Sequence, residues 1–172
     1  MTHIITDTSV VIEKGNHRVT LAKSNFNKEI LNESILSELS FNDLMKIWKD
    51  LYGVPKNLKD ILIKKINLYS SSSNINSFIY NGKEYWLDKT NRTCLWNLST
   101  SSLGDIEFIV GDEIVTLNSL KFKAFLLKLE AYAYKCYVNT FKHLKAAMSL
   151  NNFEDIISYD YTTGYPEKVT LE

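Results

Sequence analysis

The chain is short of the residues that usually announce a chemistry: its 172 residues hold 2 cysteines, 2 prolines, 6 glycines and 3 histidines. Cys94 and Cys136 are too few for a disulfide scaffold, and each is expected as a small core residue. His3, His17 and His143 have no ligand-like spacing with the cysteines or with one another, so neither a zinc site nor any other metal site is expected. There is no P-loop, GxSxG, HExxH or EF-hand pattern, and no cofactor is implied. Charge of one sign is also missing. Twenty basic residues balance twenty acidic ones, which removes the general attraction to nucleic acid or to an anionic membrane. No apolar run reaches the roughly 18 residues of a membrane span. The opening MTHIITDTSVVIEKGNHRV lacks a charged segment followed by an apolar one, so the expectation is a protein made in the cytoplasm that stays soluble.

What is present, 45% hydrophobic residues, suffices for an ordinary globular core. The patterning predicts an α+β protein. Residues 4–22 carry two β-branched runs, Ile4, Ile5, Val10, Val11 and Ile12, then Val19 and Leu21, around Gly15-Asn16, which reads as a hairpin. An isolated hairpin is marginal in water, so it pairs either within the fold or with another chain. In the second case residues 1–23 are an edge-addition anchor, and Ile4, Ile5, Val10, Val11 and Ile12 are the candidate partner-binding residues. Residues 24–70 show three stretches of helical spacing, which form a small bundle. The first runs from Phe26 to Leu39, the second is opened by Ser40 and Asp43 and closed by Gly53 and Pro55, and the third carries Leu58, Leu62 and Ile66. The run 71–77, rich in Ser and Asn and without periodicity, marks a linker between modules.

Residues 78–172 have a different grammar. Asn81-Gly82 predicts a tight hairpin, a helix carries Leu95, Trp96 and Leu98, and a second hairpin turns at Gly111-Asp112. A long helix follows over 119–150, capped by Asn118 or Ser119. A short helix over 153–158 and a last strand at Val169 and Leu171 complete the chain. The expectation is antiparallel hairpins packed on the long helix. Along that helix Phe122, Phe125, Leu126, Leu129, Ala133, Cys136, Tyr137, Thr140, Leu144, Ala147 and Met148 are assigned to one apolar face. Lys121, Lys128, Lys135 and Lys142 recur every seventh residue as a stripe away from it. That stripe is either a solvated face or a basic rail for an acidic partner. The small residues Ala133, Cys136, Thr140 and Ala147 let a neighbour approach closely, in the core of one chain or in a seam between copies.

Candidate chemistry is sparse. Tyr80, Tyr85, Trp86 and Trp96 form a candidate aromatic patch that stacks on sugar rings, or else they are cross-strand packing. Asp88 and Arg92, four apart, suit a helical ion pair. Cys136 and His143 stand about 10 Å apart along the helix, too far for a nucleophile and its base. Aromatics and lysines interleave at Tyr132, Tyr134, Lys135, Tyr137 and Lys142, yet a single-strand nucleic-acid platform needs a larger positive surplus.

The stretch F-I-Y-N-G-K-E-Y-W-L-D-K-T-N-R, residues 78–92, with the following hairpin, the Lys- and Ala-containing helix and D-Y-T-T-G-Y-P-E-K, resembles a domain-of-unknown-function family. Tailed bacteriophages and prophages encode that family, usually near virion and tail-fibre genes. The resemblance covers about residues 76–172, with Cys94 and Trp96 standing where smaller or more polar residues are expected. It implies a non-enzymatic virion protein or adaptor of a head or tail fibre, assembling in copies with other phage structural proteins. The alternatives are a fibre-assembly chaperone absent from the particle, and a small carbohydrate-binding or hydrolase module. The resemblance carries no catalytic residues.

Overall fold

In a computed structural model the protein is α+β, and the structure describes residues 2–14, 17–23, 40–86, 89–101 and 104–171. The chain divides into two compact units, residues 1–60 with 150–159, and residues 61–149 with 160–172. The boundary expected at the serine run therefore falls elsewhere. The predicted helix over 26–39, the Gly15-Asn16 turn and Asp88 lie outside the described residues.

The first unit holds a three-stranded antiparallel sheet of β1 (Thr2–Ile5), β2 (Ser9–Lys14) and β3 (His17–Ala22), in the order β1-β2-β3. The expected hairpin is thus β2–β3, and β1 adds a strand through a turn at Thr6, whose hydroxyl accepts from the Ser9 amide at 2.9 Å. As the central strand β2 is paired on both edges, and Val10, Val11 and Ile12 are all buried. Helix α1 (Phe41–Tyr52) starts where the Asp43 amide donates to Ser40 Oγ and stops where the Gly53 amide, at φ 79°, donates to the Lys49 carbonyl. His3 Nε2 lies 2.9 Å from Asp50 of this helix.

Helix α2 (Leu58–Ser71) follows. The Ser/Asn run after it is a hydrogen-bonded turn: the Ile75 and Asn76 amides donate to the Ser72 carbonyl, and Ser77 Oγ donates to the Ser73 carbonyl at 2.7 Å. Ile75 is buried there. Small hydroxyl side chains serve because they reach local backbone carbonyls.

In the second unit β4 (Ser77–Tyr80) and β5 (Lys83–Trp86) form the predicted hairpin, with Asn81 and Gly82 at φ 49° and 73°, the left-handed values a type I′ turn demands. Strand β8 (Thr170–Leu171) joins the other edge of β4 in parallel. Helix α3 (Lys89–Ser101) leads to a second hairpin, β6 (Asp105–Val110) and β7 (Glu113–Asn118). Along β6 burial alternates strictly, Ile106, Phe108 and Val110 inward, the period-2 signature of a strand with one covered face. The 31-residue α4 (Ser119–Ser149) is capped by Asn118, whose side chain accepts from the Lys121 amide. Its first turns join Phe78, Ile106, Phe108, Val110 and Leu171 in one core through Phe122, Phe125, Leu126 and Leu129. At roughly 1.5–3 kcal/mol for each large apolar side chain buried, this contact dominates the unit's stability. Helix α5 (Phe153–Ser158) belongs to the first unit, where Lys49 of α1 bonds Glu154 at 3.3 Å and lies over the Phe153 ring.

The residues after α5 return to α4. Asn139 Nδ2 donates to the Thr163 carbonyl at 2.8 Å, His143 Nε2 lies 2.9 Å from the same oxygen, and Tyr165 meets Thr140 hydroxyl to hydroxyl at 3.0 Å. Cys136, Thr140 and Ala147 are buried, so these small residues serve the core of one chain.

Two outcomes follow from this packing. Gly111, at φ 60°, faces Tyr85 so closely that a Cβ there would sit 2.5 Å from the ring, whereas a Cβ on Gly82, at φ 73°, meets nothing within 4 Å. Thermal or denaturant unfolding should show Gly82→Ala costing about 1 kcal/mol from backbone strain. Gly111→Ala should cost about 2–4 kcal/mol, since overpacking adds to that strain; equal costs would contradict the packing. The second concerns Glu84, held below its ordinary 4.5 first of all by the hydrogen bond from Lys168, 2.7 Å away. A carboxyl lowered in the folded state binds its proton more readily unfolded, so the bridge stabilises above the ordinary value and is lost as pH falls through the folded one. Lys168→Met should flatten the stability profile between about pH 5 and pH 3. An unchanged acid slope would remove the bridge from the account.

Candidate functional site

The sites expected from sequence are distributed unevenly. Of the proposed partner-binding residues, Val10, Val11 and Ile12 are buried in the sheet of the first unit, and only Ile4 and Ile5 are exposed. A central strand has no free edge to offer, so Val10, Val11 and Ile12 are core residues of this sheet and not available to a partner strand. Of the aromatic patch, Tyr80 and Tyr85 pack against the α4 core, with ring centres 6.3 Å apart and Phe78 6.0 Å from Tyr85. Trp86 belongs to β5 by its backbone, and its side chain lies outside the described ones. Trp96 stands on α3, 40% exposed. Tyr80 and Tyr85 are thus half-buried against the core, which is the cross-strand packing alternative for these two rings. Arg92 bonds Glu130 of α4 at 2.9 Å, an inter-helix bridge, while the pair expected with Asp88 falls outside the described residues.

Among the described residues few ionisable groups are shifted from their ordinary values. Burial pushes the Cys136 thiol up, which disfavours the thiolate. Burial also raises the Tyr132 hydroxyl, which donates to the Ile75 carbonyl at 2.6 Å. Asp160 is lowered by hydrogen bonds from the Thr162 hydroxyl and amide. Among the described carboxyl groups, Glu84 and Asp160 are both lowered, each by a hydrogen-bonded neighbour. Among the described residues no three His, Cys, Asp or Glu side chains come together to hold a metal ion, and no helix is long and apolar enough to cross a membrane. A cleft of about 680 Å³ is walled mainly by apolar side chains, among them Phe78, Leu95, Leu98 and Phe108.

What the second unit does present is the far side of α4. Its buried residues, Phe122, Phe125, Leu126, Leu129, Tyr132, Cys136, Thr140, His143 and Ala147, occupy one face. Leu120, Leu127, Tyr134, Phe141 and Met148, seven residues apart throughout, are 57–77% exposed. At 100° per residue this second row lies roughly opposite the first. Ala124 and Ala131 are exposed beside it and Val138 is half-buried. Tyr137, 67% exposed, widens it. Tyr137 and Met148 were expected on the buried face. Both lie about 80–100° away from its centre, which puts them with the outer row.

Comparison with protein-family models, curated proteins and solved structures gives no match. The site is therefore characterised by its own geometry. The lysines Lys121, Lys128, Lys135 and Lys142 are all exposed, each following a member of the outer row by one position. Sequence reading found the lysines and missed the row beside them, although its seven-residue repeat was the available signal.

If the outer row contributes nothing to the fold, Leu127→Ser and Phe141→Ser should each shift stability by less than about 0.5 kcal/mol. Leu126→Ala, one residue from Leu127 but on the buried face, should cost about 2–5 kcal/mol. Urea unfolding of the three variants checks this, and a large loss in Leu127→Ser would place the outer row inside the folded core.

Proposed function

We propose that this chain is a non-enzymatic structural or adaptor protein of a tailed-phage particle, made in the host cytoplasm and joining or belonging to a head or tail fibre assembly. One observation carries the reading: a helix about 45 Å long that spends one face on its own core and carries a second row of apolar side chains that the described residues leave exposed. A row of five large apolar side chains in solvent is more than a monomer's scattered surface hydrophobics, and such rows mark interaction surfaces. The likeness of residues 78–92 to the phage family supplies the biological setting. The packing of Tyr80 and Tyr85 against the core weighs against the carbohydrate-binding alternative.

The test is mass spectrometry of particles purified from the phage or lysogen that encodes the chain. Stoichiometric recovery of its peptides from the particle is the expected result. Peptides present in the producing cells and missing from mature particles would replace the adaptor with an assembly chaperone. A coding sequence outside any phage or prophage would overturn the reading altogether.

A further inference from the structure

We propose that the outer face of α4 docks an amphipathic helix from another protein, one whose apolar seam is edged by Glu or Asp. This inference rests on the adaptor reading and gives the partner its chemistry.

The spacing defines the geometry of the contact. Leu120, Leu127, Tyr134 and Phe141 alternate with Ala124, Ala131 and Val138 in steps of four and three, the a/d pattern by which two helices interlock. Taking the larger residues as d positions makes Lys121, Lys128, Lys135 and Lys142 the e positions, the row that meets the partner's edge. The opposite edge is Lys123, Glu130, Tyr137 and Leu144. Its acid is already engaged, Glu130 accepting from Arg92 at 2.9 Å. The seam is therefore narrow and basic in its first half. In its second half Tyr134, Tyr137 and Phe141 cluster at i, i+3 and i+7, aromatic anchors of the kind that dominate helix docking.

Charge then selects the occupant. In a chain of zero net charge, α4 carries six lysines and a single acid. A second copy of α4 laid antiparallel would set the four e lysines against their own counterparts, and like charges across the seam disfavour that pairing. Laid parallel, the lysines would face Lys123, Tyr137, Leu144 and a Glu130 already held by Arg92. Self-pairing gains no electrostatic support in either direction. A helix with Glu at the facing edge gains four complementary contacts, and such contacts fix partner choice more than raw affinity.

The probe is a synthetic peptide of about four heptads with Leu at d, Val at a and Glu at e and g; a second peptide has the same seam and Lys at e and g. Each is titrated onto the intact chain by calorimetry at low and moderate salt. The acidic peptide should bind, at least about tenfold more tightly than the basic one, and weaken as salt rises. Lys128→Glu with Lys135→Glu, which leaves two lysines and two acids in the row, should remove most of the preference between the peptides, and Phe141→Ser should abolish binding with an unchanged circular dichroism spectrum. Failure of both peptides to bind, equal binding of both, or a dimer of the intact chain that Phe141→Ser dissolves would overturn the proposal. Recovery of the chain from particles without acidic-peptide binding removes this inference and leaves the adaptor reading standing. Binding by a chain missing from particles does the reverse.

Discussion

The second unit depends on one constraint: α4 has to satisfy an apolar face that runs nearly its whole length. Two small sheets and the returning tail do this in sequence along the helix. Phe122, Phe125, Leu126 and Leu129 meet β4, β6, β7 and β8. Tyr132 and Cys136 meet Ile75 with Tyr69 and Tyr165 beside them, and Asn139, Thr140 and His143 hold residues 163–165. Among the described residues no sheet of this unit exceeds three strands, and a two-stranded hairpin is marginal without something to pack on. The helix is what makes them stable, which is why the polar Ser/Asn turn and the Gly164 bend both close onto it.

The same length that organises the unit leaves a remainder. A helix of this extent can bury about half its circumference against small sheets, and the other half faces outward. On most surface helices that half is polar. Here it is a heptad row of Leu, Leu, Tyr, Phe and Met flanked by lysine, a composition that costs solubility when left in water and gains once covered. The docking proposal and the adaptor reading both come from that imbalance.

Much of the fold was legible because the signals are local. The Asn81-Gly82 turn, the Ser40 and Asn118 caps, the Gly53 stop and the span of α4 follow from backbone chemistry within a few residues of each position. The non-local features were not legible. Nothing local to Thr2–Ile5 says that it adds a third strand and thereby makes Val10, Val11 and Ile12 central. Nothing local says that the serine run is a folded turn, or that the chain after Ser149 leaves the second unit and returns at Asp160. Tyr85 reads equally as patch or as packing until Phe78 and Gly111 are seen beside its ring. On α4 the counting of i+3 and i+4 steps merged two faces, because Tyr137 and Met148 satisfy the spacing of either. The seven-residue recurrence of Leu120, Leu127, Tyr134 and Phe141 separates them.

The central claim, that the outer row of α4 is an interface, is tested most directly by hydroxyl-radical footprinting of the chain free and in its assembled particle. The account predicts strong labelling of Tyr134, Tyr137, Phe141 and Met148 in the free chain and protection of all four on assembly, with Phe122 and Phe125 protected in both states. Equal labelling of the outer row in the two states would show a solvated face and contradict it.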